Sequence, residues 1–179
     1  MEIINIIKEF EGIIGALAGV LVTLAYTEYL KRKGKVVIYV VDRKWEYHTF
    51  DRVGYLPNGK ANSDLHDLTI EISLDIYNSS ELPRVMRDIQ LEFYVDKSLV
   101  HTSLPKDEAT KRYTQISIEF EDFSINNIMP RQIQRVNLIN YVLFNELSKI
   151  EHVDRIRLSY INEDDKKKHC DILTGKIKP

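Results

Sequence analysis

Residues 68–76 read Leu68-Thr69-Ile70-Glu71-Ile72-Ser73-Leu74-Asp75-Ile76, with an aliphatic side chain at every even position and a polar one at every odd position. Successive side chains of a strand point to opposite faces, so this period of two predicts a strand with one face packed and the other in water. That is the habit of antiparallel sheets. Ile89, Leu91, Phe93 and Val95 repeat the pattern, and Asn78-Ser79-Ser80-Glu81-Leu82-Pro83 between them predicts a turn.

Working outward, Lys35–Val41 is rich in β-branched residues and predicts a strand that Trp45–Phe50 continues. The polar stretch Asp51–Asp67, with Asn58-Gly59 inside it, reads as a long loop or a loose hairpin. Tyr113–Phe120 alternates through Ile116, Ile118 and Phe120. Ile133, Val136 and Leu138 predict a further strand whose change of parity implies a bulge. Leu143, Phe144, Leu147 and Ile150 fall at helical spacing, which predicts a short helix over Asn140–Ile150 with Asn140 as N-cap. Val153, Ile156, Leu158 and Tyr160 return to strand, Asp164–Lys168 forms a charged hairpin tip, and His169–Ile177 closes the sheet. About seven short strands and one short helix predict a mainly β fold: an antiparallel two-layer β-sandwich of immunoglobulin-like architecture, without the cysteine pair of antibody domains.

The first 35 residues have a different character. Gly12–Thr27, GIIGALAGVLVTLAYT, carries no charge and as a helix measures about 24 Å, which Phe10 and Tyr29–Leu30 extend toward the thickness of a bilayer core. Tyr26 and Tyr29 stand where an interfacial aromatic belt would be. The run is apolar all round, unlike the one-sided helix of a soluble core. Lys31, Arg32, Lys33 and Lys35 follow it, whereas Glu2, Lys8, Glu9 and Glu11 precede it. Positive charge resists translocation, so the C-terminal flank is expected in the cytosol and the N-terminus outside; a signal peptide has the reverse arrangement. The predicted organisation is a transmembrane anchor with a basic stop-transfer flank over 1–35 and a cytosolic β-sandwich over 36–179.

Small residues line the anchor at Gly12, Gly15, Ala16, Gly19 and Thr23, and Gly15 with Gly19 forms a GxxxG pair that lets two helix backbones approach. Lys31, Arg32, Lys33 and Lys35 also suit anionic lipid headgroups, on the order of 1 kcal/mol each near the surface, although a topology signal alone accounts for them.

Composition narrows the function. A net charge of −2 and a pI near 6.2 argue against nucleic acid as a partner. The single cysteine, Cys170, allows no internal disulfide and suits a reducing compartment. No HExxH, GxSxG, P-loop or GxGxxG occurs. His169-Cys170-Asp171 is the local cluster of ligand types, but on a strand Cys170 points away from the other two. Asp51, Asp64, His66 and Asp67 lie in the polar stretch with no nucleophile or metal signal beside them. No catalytic residue, metal or cofactor is therefore expected. Trp45, Tyr47, Phe50 and Tyr55 read either as core and packed loop or as a patch for a protein partner.

Gly12–Lys35, together with the turn Ile76-Tyr77-Asn78-Ser79-Ser80-Glu81-Leu82-Pro83 leading to Arg87-Asp88-Ile89, resembles a group of uncharacterised small bacterial single-pass membrane proteins. The resemblance implies a cytosolic immunoglobulin-like sandwich behind a short span, and it implies no activity. The expected function is a membrane-anchored, non-enzymatic binding, scaffold or sensor module. Its partners would be membrane lipid and either a protein or a second copy through the helix. The alternatives are a membrane-active effector, toxin-like or antiphage, whose helix oligomerises, and an accessory subunit of a membrane complex.

Overall fold

The computed structural model describes residues 11–51, 54–57, 65–115, 117–143, 146, 150 and 152–175. Helix α1 runs Glu11–Arg32. Behind it come β1 (Val36–Asp51), β2 (Gly54–Pro57), β3 (Leu65–Asn78), β4 (Arg84–Val95), β5 (Ser98–Ser103) and β6 (Lys106–Asp107). The remainder are β7 (Arg112–Tyr113), β8 (Ile118–Glu119), β9 (Ile125–Ile128), β10 (Ile133–Leu143), β11 (Arg155–Ile161) and β12 (Lys167–Thr174).

Twenty-two residues make α1 about 33 Å long. Its residues from Gly12 to Arg32 are long and apolar enough to cross a membrane. All of its described side chains are exposed, so the sandwich gives this apolar surface nothing to pack against. Lys33 N–H donates to the carbonyls of Tyr29 (3.0 Å) and Leu30 (3.1 Å), and Gly34 then ends the helix at φ +142°.

The body is an immunoglobulin-like sandwich of antiparallel sheets. One has the order β2-β1-β3-β10-β6; the other has the order β12-β11-β4-β5, with β9 also paired to β4. The alternating face of 68–76 packs as expected, while its polar face is half-buried rather than in water, with Thr69 buried. Leu68, Ile70, Ile72, Leu74 and Ile76 are all at most 2% exposed, packed with Met86, Ile89, Leu91 and Phe93 of β4 and Ile156 and Leu158 of β11. Burying each such side chain contributes roughly 2 kcal/mol, so this central strip dominates stability. In β4 the order of faces slips once: Arg87 and Asp88 are both exposed between buried Met86 and Ile89, with Asp88 at φ 51°. At the sheet margin, Arg43 of β1 donates to the Ile172 carbonyl of β12 at 2.6 Å and ties one sheet to the other.

Several sequence expectations change. Strand β10 pairs with β3 in one unbroken register from Ile133↔Tyr77 to Leu143↔Asp67, so the expected bulge is absent. Ile133 is 65% exposed on the outer face, and counting it as core created the apparent parity change. Asn140 is no helix cap: it lies within β10 with its side chain buried, and strand continues to Leu143. Helix appears only further on, at Glu146 and Ile150 among the described residues. Tyr113–Phe120 is not one strand but a ribbon of β7 and β8, paired Arg112↔Glu119 and Tyr113↔Ile118, while Ile116 lies outside the described residues. In the stretch expected as a long loop or loose hairpin, β2 pairs back on β1 from His48↔Pro57 to Asp51↔Gly54 and β3 already begins at Leu65, whereas Asn58-Gly59 lies outside the described residues. Sequence reading also missed β5. It pairs with β4 across a two-residue turn, Asp96-Lys97, in which both residues have positive φ (47° and 73°), a hairpin geometry usually marked by glycine.

Candidate functional site

The densest polar construction in the described residues lies where α1 meets the sandwich. A helix ends with carbonyls that have no partner within the helix, and an arginine can satisfy them while complementing the negative end of the helix dipole. Arg84, the first residue of β4, does this from 52 positions away: its Nη2 donates to the Arg32 carbonyl at 2.6 Å. The same guanidinium donates through Nε to Ser80 Oγ at 3.0 Å and through Nη1 to the Glu163 carboxylate. Only 12% of the Arg84 side chain is exposed. Two further bonds reinforce the joint: Ser79 N–H donates to the Lys35 carbonyl at 3.1 Å, and Lys35 N–H donates to Ser79 Oγ at 2.9 Å. Gly34 passes so close to the 78–83 turn that a Cβ there would lie 2.6 Å from Ser80 N and Cα.

Asn78 holds that turn from inside. It is fully buried, and its Nδ2 donates toward the carbonyls of Leu82 (2.8 Å), Ile128 (3.0 Å) and Met129 (3.2 Å). Its Oδ1 accepts from Ser80 N–H at 2.9 Å. Asn78 N–H donates to the Gln132 carbonyl and Arg131 N–H to the Ser80 carbonyl, so the 129–132 turn is clamped to the same node. The 78–83 turn thereby fastens the sandwich to the helix end, and the 129–132 turn holds it in place.

A cleft of about 690 Å³ opens beside this joint, between the helix end, the 82–84 segment and the β11–β12 hairpin. Arg32, Lys35, Arg84 and Lys168 contribute four cationic side chains against the carboxylates of Glu163 and Asp164. Tyr160 also lines it, and burial pushes its phenol up, keeping it a neutral hydroxyl.

The residues singled out in the sequence are placed as follows. Gly12, Gly15 and Gly19 have open space where a Cβ would be, and Ala16 and Thr23 are exposed on the same helix. Lys31, Arg32, Lys33 and Lys35 are exposed, with Arg32 paired to Glu28 at 3.1 Å. Trp45 is half-buried against the core; the side chains of Tyr47, Phe50 and Tyr55 lie outside the described set. Asp171 pairs with Arg157 at 2.6 Å, His169 is exposed, and half-buried Cys170 turns toward the Ile38 carbonyl, its thiol pushed up by burial and then by Asp171. Asp67 is buried, while Asp64 and the side chains of Asp51 and His66 lie outside the described residues. Arg84, Asn78, Ser80 and Glu163 were not singled out. The only signal was the resemblance carried by the 76–83 turn.

A second ordered network covers the outer face of the β4 sheet. Glu92 is 4% exposed, receives Tyr94 Oη–H at 2.7 Å and pairs with Lys167 at 2.6 Å. Burial pushes its carboxyl up, but bonds from Lys167, Tyr94 and Ser159 together outweigh it and hold the group below the usual carboxylate range. Every charge here is answered by another, which makes the network a structural strap.

Comparison with known proteins adds the following. Residues 34–173 match the family described as YopI Ig-like domain, a match that begins at Gly34 of the joint. The SPbeta prophage-derived uncharacterized protein YopI of Bacillus subtilis (strain 168) is 34% identical over 156 residues, covering 86% of this chain and 88% of that protein. Among solved structures, ycdA from Bacillus subtilis subsp. subtilis str. 168 aligns with a TM-score of 0.42 at 17% identity, over 81% of this chain and 39% of that one. A protein from Archaeoglobus fulgidus aligns with a TM-score of 0.38 at 10% identity, over 78% of this chain and all of that one.

Proposed function

The chain belongs to the YopI Ig-like domain family, and from that premise we propose that it is a membrane-anchored, non-enzymatic binding module. In this reading α1 spans the bilayer with its N-terminal flank outside, and the sandwich sits on the cytosolic surface, where it engages a protein partner. The observation that carries the proposal is the pairing of an apolar helix with every described side chain exposed and a joint that fixes its end to the sandwich. A flexible tether would let the domain tumble. A clamped one presents a defined face to neighbours in the membrane plane and raises the effective concentration of partners there. The basic flank Lys31, Arg32, Lys33 and Lys35 supports the orientation. The test is affinity capture of the full-length protein from cross-linked, detergent-solubilised membranes. A specific partner whose yield drops when Arg84→Ala loosens the joint supports the reading; capture of nothing beyond background counts against it.

A second reading has its own observation. The open space at Gly12, Gly15 and Gly19 leaves a helix face free for a neighbouring helix, as a self-associating membrane-active effector requires. Gly15→Leu with Gly19→Leu would then abolish both cross-linked oligomers and any loss of membrane potential on expression. An unchanged potential in cells making the wild type removes this alternative.

A further inference from the structure

We propose that the cleft at the helix joint binds the phosphate headgroup of an anionic phospholipid. This rests on the reading of α1 as a membrane span. Leu30 is the last apolar residue of the helix, and the lining residues Arg32 and Gly34 follow it by two and four positions. At 1.5 Å of rise per residue the cleft starts about 3 Å beyond the apolar span, which is headgroup depth.

The shape and charge suit that ligand. About 690 Å³ lies within the range of roughly 300–1,000 Å³ typical of small-molecule sites. Two of the four cations are already engaged: Arg84 on carbonyls and Glu163, and Arg32 on Glu28. Lys35 and Lys168 have no ion-pair partner among the described residues, and they reach the cleft from different segments, the helix–β1 connector and β12. An anion between them would gain both ammonium groups at once. His169 adds an imidazole that carries at least one N–H in either protonation state. Asp164 opposes an anion, and it leaves the site suited to a singly charged phosphodiester rather than a highly charged phosphate. Leu82, Pro83 and Val36 supply an apolar wall on the same cleft. Free phosphate has no use for that wall, whereas the glycerol and first acyl carbons of a lipid do.

The experiment uses the full-length protein purified in a zwitterionic-lipid-free detergent and titrated, by native mass spectrometry, with dioleoyl phosphatidylglycerol or dioleoyl phosphatidylcholine. The wild type is expected to prefer phosphatidylglycerol. The double variant K35E/K168E is expected to lose that preference by roughly 25-fold, about fivefold for each lysine. K35R/K168R is expected to keep it, and K31Q/K33Q, which neutralises the flank outside the cleft, is expected to keep most of it. Equal binding of the two lipids by the wild type overturns the proposal. So does a preference that survives K35E/K168E, or one that is lost in K31Q/K33Q instead. Competition by inorganic phosphate at concentrations that match the lipid would reassign the cleft to a free phosphate and overturn the lipid assignment. Alkaline carbonate extraction of the same variants reports on the span separately, so a failed anchor and an empty cleft give different results.

Discussion

Arg84 Nη2 donates to the carbonyl of Arg32 at 2.6 Å, joining the first residue of β4 to the last turn of the apolar helix. This contact holds the helix end against the sandwich together with the Ser79–Lys35 bonds and the Glu81 N–H bond to the Lys31 carbonyl. Arg84→Ala removes it together with the bonds to Ser80 and Glu163 and leaves a helix-end carbonyl and a carboxylate without their donor. The expected cost is about 2 kcal/mol, measured by urea unfolding of the full chain in detergent. Distance distributions between spin labels on the helix and on the sandwich should broaden as well. Arg84→Lys, with its single point charge, should recover only part of either effect.

Asn78→Ala is expected to cost about 3 kcal/mol, because three carbonyls and the Ser80 amide lose a fully buried partner. Asn78→Asp should be worse, since a carboxylate would face those carbonyls with no proton to give. Thermal unfolding of both variants checks the order.

Gly34→Ala places a Cβ against the Ser80 backbone at a residue with φ +142°. Neither the space nor the backbone conformation suits it, and a loss of about 2 kcal/mol is expected in the same urea assay. Gly15→Ala, in open space on the helix, is expected to leave unfolding of the sandwich unchanged.

Acid should weaken the sandwich partly through Glu92. Its folded-state carboxyl titrates below the ordinary value of 4.5, so its contribution is complete above that value and lost as pH falls through the folded one. Asp75 has the same sign, held down by its two hydrogen bonds from Arg135. Glu92→Gln should therefore show a smaller drop in denaturation midpoint than the wild type between about pH 7 and about pH 3.5. An equal drop would assign the acid sensitivity elsewhere.

Much of the sandwich was legible in the sequence because its central strands obey simple alternation. Residues 68–76 and 89–95 put apolar side chains on one face and mostly polar ones on the other, and the sequence shows both. Reading failed where an apolar side chain faces outward, as Ile133 does, or where a polar one faces inward, as Asn140 does; each inverts the pattern locally. It failed again at β5, whose turn uses Asp96-Lys97 in a conformation that glycine normally announces. The joint was the least legible part. Its acceptors are main-chain carbonyls, which carry no sequence identity, and its ion pair links Arg84 to Glu163 across 79 positions. Only folding brings them together.

The central claim is a spanning helix with the sandwich behind it in the cytosol. It is tested most directly by cysteine accessibility. Ser98, exposed at the start of β5, is replaced by cysteine in a Cys170→Ser background, and intact cells are treated with a membrane-impermeant maleimide before and after lysis. The account predicts a protein that stays with carbonate-washed membranes and is labelled only after lysis. Labelling in intact cells, or release of the unlabelled protein into the soluble fraction, would contradict it.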